Sequence, residues 1–444
     1  LNETGKSFRM SGYRRAEGRK LTPLKKDIES PDKRFSIPST PPLGIVGHVG
    51  FDYQEVRRRG KDGGLSVRTG SSFDFNELEV LAGAPLGKNL SFFLDYELFE
   101  TEIENRSGPG EANETDSRKD ITFETEGPSV AGMAMLIWNS VLPPSVAPQD
   151  SLNIVIGINE LPLGFSPEHM RLSASPFLIY ERRAVDLLSG TPVEDLFTES
   201  ERDRLFRLSK EQIGVEVNGV LGLGAGPPSK RPAVEYHVGV INGSNNRSDA
   251  NTEKGFFGRL ALTWMGQTAG LSGFWSPDIY NDTLRPNHSI ANGGIFSGQG
   301  LSNEAYSVGP DLTLSLQPFN LPVWLETQVL FSRETNPTVF NKRYHWWGGF
   351  TQLNAKVVNP LTAIAYFRYD WIRGDRFDDT PVGGVTGPVE PRDWAATFGL
   401  QWYVLQNMKI MAEFSRHEFR NIASTPKEAK LVEDFLTLRV SLGF

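Results

Sequence analysis

The chain has 444 residues, with 46 Lys/Arg against 54 Asp/Glu for a net charge of -8, 39% hydrophobic residues and no cysteine. The missing cysteine excludes disulfides, thiolate metal sites, cysteine nucleophiles and any c-type haem bound covalently to these residues. The longest near-apolar run, Val130 to Trp138, has nine residues. That is well short of the roughly 20 a membrane helix needs, but a membrane β-barrel stays open, because its strands alternate and their mean hydropathy resembles that of a soluble chain.

Residues 1-43 come first and do not alternate. The chain starts at Leu1 without a basic-then-apolar secretory signal, so a processed or trimmed form is expected. Ten Lys/Arg face five acids in this segment, a net +5 that leaves -13 for the rest. A basic plug inside or beneath an acidic barrel is electrostatically matched, with Arg9, Tyr13, Arg14 and Arg15 as its anchors. The alternative is a solvated periplasmic tail. Pro38, Pro41 and Pro42 end the segment extended.

From there the dominant signal has period two, which gives a strand one apolar and one polar face. Sixteen strands are predicted at 44-57, 72-83, 90-103, 129-139, 151-160, 211-224, 232-242, 254-265, 268-279, 305-317, 322-334, 343-356, 362-374, 393-404, 408-420 and 431-443. In the first, Ile45, Val49, Phe51 and Tyr53 oppose His48, Asp52 and Gln54. In the second, Phe73 and Phe75 are out of phase with Leu78, Val80 and Ala82, which requires a bulge. In the fourteenth, Trp394, Ala396, Phe398, Leu400, Trp402 and Val404 alternate with Ala395, Thr397, Gly399, Gln401 and Tyr403. The last alternates from Leu436 and stops on the aromatic Phe444.

Links after even strands are mostly short, and links after odd strands are longer and polar. Short turns at one end and long loops at the other, with an even strand count, is the layout of an outer-membrane barrel. Trp138, Trp264, Trp275, Trp346, Trp347, Trp371, Trp394 and Trp402 fall near strand ends, where amphipathic rings meet the lipid interface. The fold expected is all-β: a transmembrane antiparallel barrel of about sixteen strands over 44-444, with 1-43 as a plug or periplasmic segment. A soluble propeller or repeat sandwich is the competing architecture.

Residues 161-210 form the longest link, and a loop of that length usually carries function. Phe165, Phe177, Leu178, Ile179 and Tyr180 call for burial, so the loop is expected to fold inward. Its charges Glu168, His169, Arg171, Arg182, Arg183 and Asp186 would then line a constriction. A short helix is predicted near 199-207 from the capping-box spacing of Thr198 and Glu201.

Sixteen strands, a C-terminal Phe444 and a long loop after the fifth strand resemble bacterial outer-membrane porins. The span Leu152 to Tyr180, with Glu160-Leu-Pro-Leu-Gly-Phe-Ser-Pro167 and Ser175-Pro-Phe-Leu-Ile-Tyr180, resembles a stretch in porins linked to cytochromes. Leu1-Asn-Glu-Thr-Gly-Lys-Ser-Phe-Arg-Met-Ser-Gly-Tyr-Arg14 resembles the segment that follows a Cys-x-x-Cys-His haem motif in fused cytochrome–porins. The resemblance implies an outer-membrane location, contact with the lipid bilayer and lipopolysaccharide, and common trimer formation. Its main functional implication is the sheath of a trans-membrane electron conduit, with haem c carried upstream of Leu1 or by a partner cytochrome. A passive diffusion porin for small hydrophilic solutes or ions is the alternative.

Other chemistry has little to stand on. The six histidines are scattered, with no HExxH and no pair at metal-ligand spacing. His48 reads as a lumen-wall residue. His169 beside Met170 is a remote candidate for an axial haem ligand. No catalytic residue, metal site or nucleic-acid partner is expected.

Overall fold

In hydrocarbon every backbone N–H and C=O needs an internal partner, so alternating strands must close on themselves. The computed structural model does this. It describes residues 28-29, 36-37, 43-59, 65-86, 89-104, 122-126, 132-143, 145-167, 171-187, 206-224, 231-243, 245, 253-281, 301-335, 343-357, 362-376, 389-405, 407-423 and 429-443. Apart from a two-residue ladder between Ile28–Glu29 and Ser36–Ile37, all described strands belong to one closed barrel.

The barrel strands are β1 (Leu43–Arg59), β2 (Leu65–Pro85), β3 (Leu90–Glu104), β4 (Thr122–Glu126), β5 (Met133–Trp138), β6 (Asn153–Asn159), β7 (Gln212–Gly222), β8 (Ala233–Ile241) and β9 (Gly255–Trp264). They continue with β10 (Gln267–Asn281), β11 (Leu301–Ser315), β12 (Val323–Thr335), β13 (Arg343–Val357), β14 (Ala363–Gly374), β15 (Val389–Leu405), β16 (Met408–Ala423) and β17 (Ala429–Gly443). Both β4 and β5 pair with β3, the former along Glu100–Glu104 and the latter along Leu90–Asp95. They share one position, so the wall has the sixteen antiparallel positions expected. The wall closes where β17 pairs with β1 over fourteen residues, from Lys430↔Arg59 to Gly443↔Val46.

The wall is turned inside out relative to a soluble sheet. On β15, Phe398 is 54% and Leu400 46% exposed, while Thr397 and Gln401 on the other face are buried. The same holds for Phe414 against Glu413 and for Leu438 against Thr437. Apolar residues therefore face outward, where only lipid can cover them, and polar ones face the lumen. No helix of the described residues is long and apolar enough to cross a membrane.

Three sequence expectations change in detail. β1 and β2 run longer than predicted, because their rim residues are mostly polar (Arg57 to Arg59; Ser66, Arg68 and Thr69 around a lone Val67) and hide the alternation. The predicted strand at 129-139 is shorter, β5 alone from Met133 to Trp138, and the rest of its wall position is filled by β4, which lies ahead of the predicted span at Thr122–Glu126. Trp346 is buried against the lumen rather than facing lipid. The bulge in β2 is present: His48 pairs with Glu77 but Val49 with Phe75, so Asn76 is the extra residue that swaps the faces.

Connections at one end are tight. Between β9 and β10, Met265 (φ 49°) and Gly266 (φ 79°) make a two-residue hairpin in which both central residues need positive φ. Asn320 (φ 59°) ends a single 3-10 turn, Gln317–Phe319, between β11 and β12. At the other end lies the 160-211 link, which builds the candidate site.

Candidate functional site

The link leaves β6, the fifth wall position, and returns at β7, the sixth. Its described parts are 160-167, 171-187 and 206-211. Two single turns form in it, α1 (Leu178–Glu181) and α2 (Ala184–Leu187). The helix predicted near 199-207 lies outside the described residues except for Phe206 and Arg207, which are not helical.

An apolar loop in a polar lumen is stable only if it packs on something. Leu161, Leu163, Phe177, Leu178, Ile179, Tyr180, Ala184, Leu187, Phe206 and Leu208 form one buried cluster with inward wall residues, among them Phe257, Phe274, Leu330, Trp346, Phe350 and Ile372. Phe177 lies 4.2 Å from Phe350, ring centre to ring centre, and Phe165 meets the same ring edge-on at 5.1 Å. The wall makes room at Gly348, where a Cβ would lie 3.0 Å from Ile179 Cγ2 and 2.6 Å from the Trp371 carbonyl oxygen.

Polar contacts then fix the loop across the lumen. Glu413 of β16 accepts from Ala174 N (2.9 Å), Ser175 N (2.8 Å), Ser175 Oγ (2.6 Å) and Tyr366 Oη (2.5 Å). Arg368 of β14 donates to the carbonyls of Ser175 (2.9 Å) and Pro176 (2.8 Å), pairs with Asp370 at 2.7 Å and sits 4.6 Å above the Phe177 ring. Asp370 accepts from Leu178 N, Gln401 donates to the Leu172 carbonyl, and Tyr180 Oη donates to Gln328 of β12. These latches lie on β12 to β16, and β14 stands eight positions from β6, half of sixteen. The loop spans the lumen along a diameter.

The sequence-predicted loop charges have distinct roles. Arg171 donates to the carbonyls of Pro167 (2.6 Å), Ser173 (2.9 Å) and Ala174 (2.8 Å), so it shapes the loop itself. Arg182 pairs with Asp393 at 2.7 Å and contacts His417, which in turn bonds Asp393 and Glu433. Arg183 pairs with the buried Glu334 at 2.5 Å. Asp186 accepts from Arg183 N at 2.8 Å and pairs with Arg207 at 3.2 Å. Burial opposes the Asp186 charge, but the Arg207 and Arg182 guanidinium groups outweigh it and hold the carboxyl below its ordinary range. Burial likewise pushes the Tyr180 phenol well up, so it remains a donor. Glu168, His169 and the plug anchors Arg9, Tyr13, Arg14 and Arg15 lie outside the described residues.

A second lumenal network lies on β7 to β11. Glu216 and Glu235 flank His237 at 2.6 and 3.0 Å, and Arg259 links Glu235 (3.1 Å) to Asp311 (2.8 Å). Sequence reasoning missed these wall partners, as it missed Glu334, Arg368, Asp370, Asp393, Glu413 and Glu433. The available signal was phase: each is a charge on the polar side of an alternating strand. Among the described residues no group of three His, Asp or Glu could hold a metal.

No family model matches the chain, and no curated protein matches it. Among solved structures it is similar to the outer membrane channel DcaP of Acinetobacter baumannii at 10% identity, covering 94% of this chain and 99% of that one with a TM-score of 0.48. It is similar to the anion-selective porin from Comamonas acidovorans at 9% identity, covering 90% and 99% with a TM-score of 0.49. The outer-membrane expressed OmpT of Vibrio cholerae shows 8% identity over 94% and 100%, with a TM-score of 0.46. The barrel assignment rests on the strand pairing above, not on these likenesses.

Proposed function

We propose that this chain is a bacterial outer-membrane channel for small hydrophilic solutes or ions, in which the 161-210 loop sets the width and charge of the passage. The observation that carries this reading is the loop's course: residues 172-183 are latched to the wall half-way round the lumen. A strap at mid-lumen filters by size, and fixed charges beside it filter by sign. The basic segment 1-43 belongs to this reading as a plug, its net +5 matched by the buried inward acids Asp52, Glu79 and Asp95 of β1 to β3.

Planar-bilayer recording tests it. The purified protein should give discrete ohmic steps, and replacing 171-187 by a short Gly/Ser linker should raise the step size several-fold. A protein that inserts without conducting overturns the channel, and an unchanged step overturns the loop as its filter. Removing 1-42 tests the plug in the same assay. Trimer formation is part of the reading too: two of the short strands, β5 and β6, expose Leu136, Trp138 and Ile156 outward, and crosslinking in detergent reads the number of copies.

One observation favours a second reading, the sheath of a cytochrome-linked electron conduit. Phe165, Phe177, Tyr180, Tyr344, Trp346 and Phe350 form a dense aromatic mass in the lumen, the water-poor interior an insulated path requires. The redox centre would have to come from haem c in a preceding segment or in a partner. Haem absorbance in protein purified from its native membrane supports this reading, and its absence there removes it.

A further inference from the structure

Neighbouring strands normally avoid like charges directly across from one another, because such pairs destabilise the sheet. The outer face of β14 to β17 does the opposite. Arg373 of β14 pairs in register with Arg392 of β15, Arg392 with Arg420 of β16, and Arg420 with Lys430 of β17. All four point outward, since Ile372 and Asp393 beside the first two are buried against the lumen and Phe419 beside the third packs on the lumenal cluster. Four cations thus run across four adjacent strands, a row about 14 Å long at the usual interstrand spacing.

Two carboxylates share the row. Glu390 pairs with Arg392 at 2.8 Å, and Glu418 takes both Arg420 and Lys430, the latter at 2.8 Å. Arg373 has no ion pair among the described residues. Asp375, two residues past Arg373, is exposed and bonds the exposed His345 at 3.0 Å, so four cations stand against three nearby acids, a surplus of one positive charge. Further round the wall, Arg57 and Arg416 pair with Glu55 and Asp434. The surplus is centred on Arg373, Arg392 and Arg420.

What lies beneath identifies the occupant. Two ladder rows below Arg373 and Arg392, on the same face, stand Trp371 and Trp394, and four rows further the outward residues are Phe367 and Phe398. Cation, indole and hydrocarbon-facing ring follow one another down the wall. That order fits an amphiphile with an anionic head and acyl chains, and guanidinium forks match phosphate oxygens two at a time.

We propose that this row is a binding site for the phosphate groups of a phosphorylated outer-leaflet glycolipid of the lipid A class, with its acyl chains lying on Trp371, Trp394, Phe367 and Phe398. The inference rests on the outer-membrane reading, because the row lies at the long-loop end of the barrel.

Native mass spectrometry in neutral detergent tests it, with diphosphoryl lipid A, its dephosphorylated form, phosphatidylglycerol and inorganic phosphate as probes. Wild type should retain one diphosphoryl lipid A, and the R373Q/R392Q/R420Q protein should hold it on the order of 100-fold more weakly. Equal retention by the variant, or equal retention of dephosphorylated lipid A, overturns the site. So does displacement by inorganic phosphate or by phosphatidylglycerol at matched concentration. R373Q alone loses no ion pair and serves if the triple variant misfolds. It should still weaken retention, and unchanged retention in it overturns the proposal. Conductance of the same samples separates the two claims. Retention lost with conductance intact in the variant supports the site. A silent wild type that still retains the lipid strikes the channel reading alone.

Discussion

At the residue scale, the strap is held by a few buried charges with many partners each. Glu413 accepts from three donors of the loop and one of the wall. Glu413→Gln keeps the shape but turns charge-assisted bonds into ordinary ones and leaves one amide hydrogen facing donors. A loss of about 1–3 kcal/mol in loop docking is expected, read as faster proteolysis within 161-210 and noisier single-channel current. Asp186 makes a pH prediction. Its carboxyl is held below the ordinary range by Arg207 and Arg182 against the opposing effect of burial. The stabilisation is therefore fully present above the unfolded-state value of about 4 and is lost as pH falls through the lower folded value. Loop protection against acid-active protease should drop in that window, and Asp186→Asn should lack this part of the dependence while being less protected at neutral pH. An Asp186→Asn protein with the wild-type profile would show that the Arg207 pair contributes nothing.

At the element scale, α1 docks on β13 because Gly348 leaves space for Ile179. Gly348→Val fills that space and should push α1 off the wall, costing about 1–3 kcal/mol as overpacking does. Single-channel conductance checks it: the step should change, whereas Gly→Val at an outward position should leave it alone. The strands themselves were legible from phase, and even the slip in β2 announced itself through Phe73 and Phe75 against Leu78 and Val80. The inward course of the loop was legible from Phe177 to Tyr180, which have no other place to bury. What phase could not supply was partnership. It puts Glu413, Asp393 and Arg368 on the lumenal side but says nothing of which loop residue each will meet, because those pairs are about 190 to 240 residues apart in sequence. Arg171 shows the limit from the loop's side: a guanidinium in a predicted constriction turned out to hold its own backbone.

At the scale of the whole molecule, the outer surface carries exposed Phe256, Leu260, Phe331, Leu353, Phe398 and Leu438 on strands all round the wall. A surface of this kind cannot be wetted without aggregation. The chain should acquire β-structure by circular dichroism only when detergent or lipid is added, and a clear, monomeric, folded sample in plain buffer would contradict the membrane reading. The wall also has a seam. The fourteen pairs between β1 and β17 join the earliest and latest pieces of the cylinder, so nothing can be sealed while synthesis or export is under way. The full ribbon has to be delivered before it can commit to the bilayer. A polypeptide clipped ahead of Ala429 would arrive there with two raw edges and no way to join them.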